Sequence, residues 1–450
     1  MASTAVKPTG ERRDYDPQQL FFSTTDLRGV IGAVNSTFAQ LSRYSKGELV
    51  GAPHNIIRHP DMPGAVFHIM WQRLLAGDSM MGYVTNLAKD GAHYFTFTTV
   101  TPINGGFISV RSAITRPDLW EPVSRAYAET RALENGWRDE GLSKTESASK
   151  GATDLSARLA VLGYAMYDDV IRALVPAEVD ERRRLAPPQP PHTEPGHMLH
   201  EVVLAIGALD RELAAQRIRY DDATAVAATL DDAQAEFTVT LAGLEEAASA
   251  AAAAAATVAK EAPAAAKTAQ AALSLAVTAR GDLSPLSRLL ADVRASVLDL
   301  RASLALSVLH NDMAMVFVCE VASGEVVGDP DSTVWLLGAA VANSVREGEK
   351  QSQRVREELE QVVVAIGEAY GALQAFQRML ANWRQIVVRS GVSHRLGALV
   401  DPIDSRLSAG LREMDNLENL ARRCVALGQT LDADALLQAA DDLVAAAQRL

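Results

Sequence analysis

The chain changes character once, near Pro117, and that change constrains its architecture more than any other feature. Ahead of Pro117, short alternating segments are broken by turn residues; behind it strands nearly vanish and helical periodicity runs to Leu450. A chain of 450 residues is too long for one ordinary core. Two or three folding units are expected, with the mixed one at the front.

The mixed segment reads as a defined order. Leu20–Asp26 is rich in β-formers, Leu27-Arg28-Gly29 makes a turn, and Val30–Val34 makes a second strand. Short helical pieces follow at Ser36–Leu41 and Lys46–Val50. A longer amphipathic helix runs from Gly64 to Leu75, with Val66, Met70 and Leu74 at helical spacing. Strands are then expected at Gly82–Leu87, Ala92–Thr101 and Phe107–Ile114, joined by hairpin turns at Lys89-Asp90-Gly91 and Asn104-Gly105-Gly106.

Behind Pro117, Trp120–Gly136 and Asp154–Val175 are amphipathic, the second through Leu155, Leu159, Leu162, Met166, Val170 and Leu174. Residues 182–197 carry Pro187-Pro188-Gln189-Pro190-Pro191 and Pro195, the composition of a semi-rigid linker. From 198 on, Leu359, Val362, Ile366, Ala369, Leu373, Phe376, Leu380, Trp383 and Val387 are spaced alternately three and four apart. Such a seam belongs to a coiled coil or a long bundle, and a second copy or the same chain can cover it. A second seam runs from Leu286 to Leu304, and Ser284-Pro285 reads as its helix start. The breakers Gly328-Asp329-Pro330 and Gly391 divide long helices.

A net charge of −13 argues against a nucleic-acid partner. Cys319 and Cys424 form neither a disulfide framework nor a metal-ligand spacing, and a reducing compartment fits them. The polar start, Met1–Arg13, lacks the apolar core of a signal peptide. The closest approach to a membrane span is the alanine tract Ala247–Ala259, which reads as a solvated helix rather than an integral membrane segment. A cytoplasmic location is expected. Phosphate-loop, nucleophile-elbow, zinc-protease, histidine-kinase and cyclase motifs are not found, so an enzyme is not expected.

The run Pro53–Pro63 packs Arg58, His54, His59, Asn55 and Asp61 among prolines and apolar residues. These groups need partners, and a polar ligand is one source of them. The run and its surroundings resemble the flavin-binding PAS domain of bacterial aerotaxis receptors. The resemblance spans Phe21–Thr115 and rests on Phe22–Leu27, Val34-Asn35-Ser36-Thr37-Phe38, Ser42–Gly51 and above all Pro53–Pro63. It implies FAD as cofactor, supported by Asn35, Arg58, His59, Asp61, Phe67, Trp71 and Asn86. The chemistry suits each: amides for the ring edge, a guanidinium fork for phosphate or carbonyls, aromatic faces for the rings, and Asp61 steadying Arg58 or His59. Phe67 and Trp71 also sit at ordinary core spacing. The chain departs from the family at Asp78–Gly82, with Met80 where a Trp is usual. Haem, through His54, His59, His68 or His93, is a less economical alternative.

His310–Glu325 faintly resembles the hairpin tip of chemoreceptor signalling domains through Asn311, Ala314, Glu320, Ala322, Gly324 and Glu325, with Val316 and Ser323 replacing polar residues of that tip. The expected fold is an α+β PAS domain, a five-stranded antiparallel sheet with flanking helices, followed by a long all-α bundle or coiled-coil region. The expected organisation is a disordered tail (1–18), the PAS sensor (19–117), connecting helices (118–181), the Pro-rich linker (182–197) and a helical signalling and oligomerisation region (198–450). The expected function is redox, oxygen or energy sensing through FAD, relayed to a homodimeric helical output in a chemotaxis-like pathway with a kinase or adaptor as partner. A ligand-free PAS-helix scaffold for self-association or docking is the alternative.

Overall fold

Strand-forming segments and turns before residue 117 build a sheet, and the structure, a computed structural model, describes residues 6–191, 193–194, 197–324, 330–431 and 433–450. The chain forms two units. The first takes Met1–Arg217, Arg301–Glu349 and Asp434–Leu450; the second takes Ile218–Leu300 and Lys350–Ala433.

In the first unit β1 (Phe21–Asp26) and β2 (Ile31–Val34) precede α1 (Ser36–Ser42), α2 (Lys46–Leu49), a 3-10 turn at His54–Ile57 and α3 (Gly64–Ala76); β3 (Met80–Leu87), β4 (His93–Ile103) and β5 (Gly106–Ser112) follow. The five strands form one antiparallel sheet in the order β2-β1-β5-β4-β3. This is the PAS order that the sequence predicts, with boundaries shifted by a residue or two. Gly106 is required where β5 meets β1: a Cβ there would stand 1.9 Å from the Thr25 carbonyl oxygen.

Residues 9–18 are not the disordered tail expected of them. Thr9 N donates to Gly91 O, and Arg13 N and His93 N complete a ladder with His93 O and Glu11 O. The Tyr15 hydroxyl donates to the carbonyls of Phe95 and Ser112. Partners on the β3–β4 hairpin and β5 hold a segment whose composition alone says nothing of them.

Alternation gives the sheet two faces. One carries Phe21, Ser23, Asn86, Ser109 and Arg111 toward α1–α3. On the other, Phe22 meets Phe317 edge-on at 5.5 Å, and Tyr83 and Phe95 meet Trp120 at 5.1 and 5.3 Å. Trp120 opens α4 (Pro117–Asp139), which is followed by α5 (Lys144–Val161) and α6 (Tyr167–Leu185). The stripe expected over Asp154–Val175 is split. Gly163, at φ 95°, ends α5, and Tyr164 N closes back on Leu159 O at 2.9 Å. Met166 is left exposed.

The Pro-rich linker starts later than expected, because Arg182–Leu185 complete α6. Arg182 and Arg183 pair with the buried Asp312. The Pro187–Pro191 run has no regular element, and Pro195 lies outside the described residues.

The long helices are α7 (His200–Thr257), α8 (Pro263–Ala322), α9 (Pro330–Arg389), α10 (Asp401–Thr430) and α11 (Asp434–Ala447). Pro285 does not start a helix: α8 begins at Pro263 and runs through it. One lost backbone bond is offset by the continuous buried stripe Leu286, Leu290, Val293 and Val297. Gly328 and Asp329 lie outside the described residues; Gly391, at φ 70°, follows the end of α9.

The alanine tract is not a solvated helix. Ala247, Ala248, Ala251 and Ala254 are fully buried, as are Ala265, Ala272 and Ala279 on the next helix of the same unit. Small side chains let helix backbones approach closely. α8, rather than the alanine tract, is by length and composition apolar enough to cross a membrane; 83% of its most apolar 18-residue window is buried within the protein.

The seam Leu359–Val387 is buried at every position, including Phe376 and Trp383. Helices of the same chain cover it, so it does not require the second copy that motivated the homodimer expectation.

His310–Glu320 is enclosed rather than displayed as a tip, and exposure begins only at Ala322. His310, Asn311, Asp312, Phe317 and Glu320 are all buried in the first unit, and Glu325 lies outside the described residues.

Candidate ligand cavity

A cavity of about 330 Å³ lies between α3 and the inner sheet face. Its walls follow the strand period of two: Ser23 and Thr25 on β1, Val84 and Asn86 on β3, Thr98 and Val100 on β4, Phe107, Ser109 and Arg111 on β5. Helix α3 adds Phe67, Met70, Trp71 and Leu74, one face at three- and four-residue spacing. The turn after Pro53 adds His54, Asn55, Ile57 and Arg58.

Flat apolar surface and polar groups converge here. Trp71 stands edge-on to Phe107 with centroids 5.7 Å apart. Gly29, at φ 77°, turns the β1–β2 hairpin under the indole; a Cβ there would lie 3.4 Å from the ring.

Arg111 dominates the electrostatics. It is buried, and no carboxylate pairs with it among the described residues. Its guanidinium donates to Ser23 Oγ at 3.2 Å and Ser109 O at 3.3 Å, and lies 2.6 Å from His54 Nε2. Burial pulls it down to about 10. Burial, and then the Arg111 charge, holds His54 well below the ordinary imidazole range. His54 is therefore neutral, with Nε2 as acceptor toward Arg111 and Ser23 Oγ. That arrangement occupies the nitrogen a haem would need from His54. The Ser109 hydroxyl is buried with no partner among the described residues. A buried cation held by neutral groups, beside an orphaned hydroxyl, suits a ligand edge rich in acceptors.

Of the seven residues expected to support a cofactor, Arg58, Phe67, Trp71 and Asn86 line this cavity and Asn35, His59 and Asp61 do not. Asn35 is saturated elsewhere. Its oxygen accepts from Phe22 N and Phe38 N as the N-cap of α1, and its amide donates to Leu20 O and Glu320. His59 faces a neighbouring cavity, its ring edge-on to His93 at 5.9 Å, and burial lowers it from the ordinary imidazole range. Asp61 is exposed and 3.7 Å from His59, so it can steady His59 but not Arg58. One face of Phe67 is taken: the Arg58 guanidinium carbon lies 3.8 Å above its centroid. Asn86 reaches Thr96 Oγ1 at a long 3.4 Å.

Arg111 was not among the expected site residues, and His54 was considered only as a haem ligand. The signal for Arg111 was present: Phe107, Ser109 and Arg111 share a face on a strand whose other residues are apolar or small. An arginine on an inward strand position needs a counterpart.

A sheet in PAS order with a ligand-sized cavity under its connecting helix defines a sensory domain of the PAS class. The sequence comparisons specify the type. The chain is 40% identical over 111 residues to the aerotaxis receptor of Escherichia coli (strain K12), covering 23% of this chain and 22% of the receptor. It is 30% identical over 81 residues to the nitrogen fixation regulatory protein of Klebsiella pneumoniae, covering 18% of this chain and 16% of that protein. The PAS domain is of aerotaxis-receptor type. The chain spans about a fifth of the length of the curated relatives it matches, and no family model matches it. Among solved structures, a PAS domain from Colwellia psychrerythraea is 28% identical, covering 22% of this chain and 87% of that one, at a TM-score of 0.19.

Proposed function

We propose that the cavity holds FAD non-covalently and that the chain is a cytoplasmic, non-catalytic sensor of redox or oxygen status acting in a chemotaxis-like pathway. The observation that carries this reading is Arg111: a buried guanidinium with no carboxylate partner among the described residues, lining a cavity of ligand size together with Phe67, Trp71 and Phe107. Similarity to the aerotaxis receptor supports the same reading. When bound, the flavin supplies redox chemistry in which charge and hydrogen bonding at the ring change with oxidation state.

Arg111 and Ser109 present donors to an acceptor-bearing ring edge. His54 keeps Arg111 in place without adding charge. Trp71, Phe107 and Val100 exclude water. Arg111 would respond to a change of charge at that edge, and its present partners Ser23 and His54 are the groups that would adjust.

The output lies on the opposite sheet face. Tyr83 and Phe95 touch Trp120 of α4, and the Tyr83 hydroxyl donates to the buried Glu178 of α6 at 2.7 Å. Glu178 also accepts from Thr115 N and Oγ1, fixing the joint between β5 and α4. The relay is a population shift between packings of these helices on the sheet. The partner reading this shift is a chemotaxis-type kinase or adaptor. The test is an absorbance spectrum of the purified full-length protein: flavin bands, released on denaturation and restored by added FAD, are expected. A colourless protein that takes up no FAD leaves the ligand-free scaffold as the reading.

A further inference from the structure

Beside the first cavity lies a second, of about 540 Å³, which shares Asn55, Arg58, Phe67 and Trp71 with it. Its far wall comes from outside the PAS sheet, from the end of α4 and the start of α5. Four cationic side chains line it: Arg58, Arg131, Arg138 and Lys144. In a chain of net charge −13 this is a local reversal of sign.

Glu134 is the carboxylate there, and it is already engaged. It accepts from Gly64 N and Ala65 N at 2.7 Å each, closing the start of α3, and from Arg131 at 3.1 Å. Arg138 and Lys144 have no ion pair among the described residues, and the Arg58 guanidinium has no oxygen partner beyond its contact with the Phe67 ring. Arg131 Nε is buried and has no hydrogen-bond partner among the described residues. Unpaired cations around a concave surface raise the local concentration of anions.

Size points the same way. The first cavity is at the lower end for a small-molecule site and takes a tricyclic ring better than a whole dinucleotide. Arg58 and Phe67 stand on the wall that the two cavities share.

We infer that the second cavity receives the diphosphate of a dinucleotide whose ring occupies the first, with Arg138 and Lys144 of the α4–α5 hairpin as its phosphate-binding residues and Arg58 on the shared wall. This rests on the flavin reading of the first cavity. It makes the α4–α5 hairpin part of the binding site, so that a ligand with a diphosphate ties these helices to the sheet and one lacking it does not.

The test is the affinity of the full-length apoprotein for FAD and for riboflavin, in the wild type and in Arg138→Gln/Lys144→Gln. Both side chains are exposed, so the variant keeps the fold. Wild type is expected to bind FAD about tenfold or more tighter than riboflavin, since each charge-assisted bond contributes about that factor. The double variant is expected to lose most of that preference while riboflavin binding stays unchanged, and added salt is expected to shrink the preference in wild type alone. An equal affinity of wild type for the two flavins, or a preference that survives in the variant, overturns the diphosphate site and leaves the ring site standing. Failure of both flavins to bind wild type overturns the flavin reading as well.

Discussion

The Glu320 carboxylate on the last turns of α8 accepts the Asn35 side-chain amide at 2.8 Å, joining residues 285 positions apart at the start of α1. It also accepts from Ser36 N at 3.0 Å and lies 3.3 Å from Thr37 Oγ1. Asn35 caps α1 from one side and Glu320 from the other. An anionic group at a helix start is favoured by the free N–H groups and the dipole there.

Glu320→Ala is therefore expected to loosen α1 and the end of α8 together. Losing a cap of this kind costs about 1–2 kcal/mol. Hydrogen exchange should rise at Ser36–Phe38 and at Phe317–Ala322, with the α3 cavity wall unaffected. Faster exchange in α1 alone would mean that the α8 contact is incidental.

Arg111→Met is expected to move stability and binding in opposite directions. Removing a buried cation that lacks a carboxylate among the described residues leaves the apoprotein equally or more stable. The same change removes the donor fork from the cavity and should weaken FAD binding about tenfold or more. Thermal unfolding and fluorescence titration on the same preparation separate the two effects.

Arg58→Ala is expected to reduce flavin retention through purification while the PAS domain stays folded, because Arg58 lies on a turn and its loss leaves no core void. Lys at this position should not restore binding: an ammonium cannot both cover the Phe67 ring and present a planar fork. Full occupancy in Arg58→Ala would remove Arg58 from the site.

Most of the sheet was legible because alternation and hairpin turns are local signals; Phe67 and Trp71 were placed in the site by the resemblance, since their helical spacing fits a plain core equally well. Asn35 could not be judged the same way. Its type suits a ligand amide, but Glu320, supplied from far along the chain, completes its bonding. Arg182 was assigned to a linker for a similar reason: its partner Asp312 lies 130 positions away. The covering of the Leu359–Val387 seam was open in the sequence because a heptad names a stripe and not its occupant.

Trp383→Ala is expected to destabilise the helical unit by about 3–5 kcal/mol without changing its mass in solution. The indole is fully buried within the chain. Denaturant unfolding and light scattering of the full chain report the two quantities. A change of oligomeric state would show that the seam is shared between copies.

Acid should destabilise the first unit before carboxylates are protonated. His310 is buried against Ser344 and pushed down to about 4 by burial, against about 6.5 in an unfolded chain. The unfolded state takes up the proton first, so stability is full above about pH 6.5 and falls between there and about pH 4, by about 3 kcal/mol for this group. His54 adds to the slope in the same direction. His310→Gln should flatten urea midpoints measured from pH 7 to pH 5.

Phe22 and Ser23 are consecutive on β1, yet Phe22 packs on Phe317 of α8 and Ser23 holds Arg111 in the cavity. In the proposed function, input and output are thus one peptide bond apart. Under that proposal, communication across this wall would depend on how stiffly β1 resists twisting. Inserting a single residue at this point would exchange the two faces, aiming the ring into the cavity and the hydroxyl at the helix. The part of the protein least tolerant of length change is therefore a strand of six residues rather than any of the sixty-residue helices it serves.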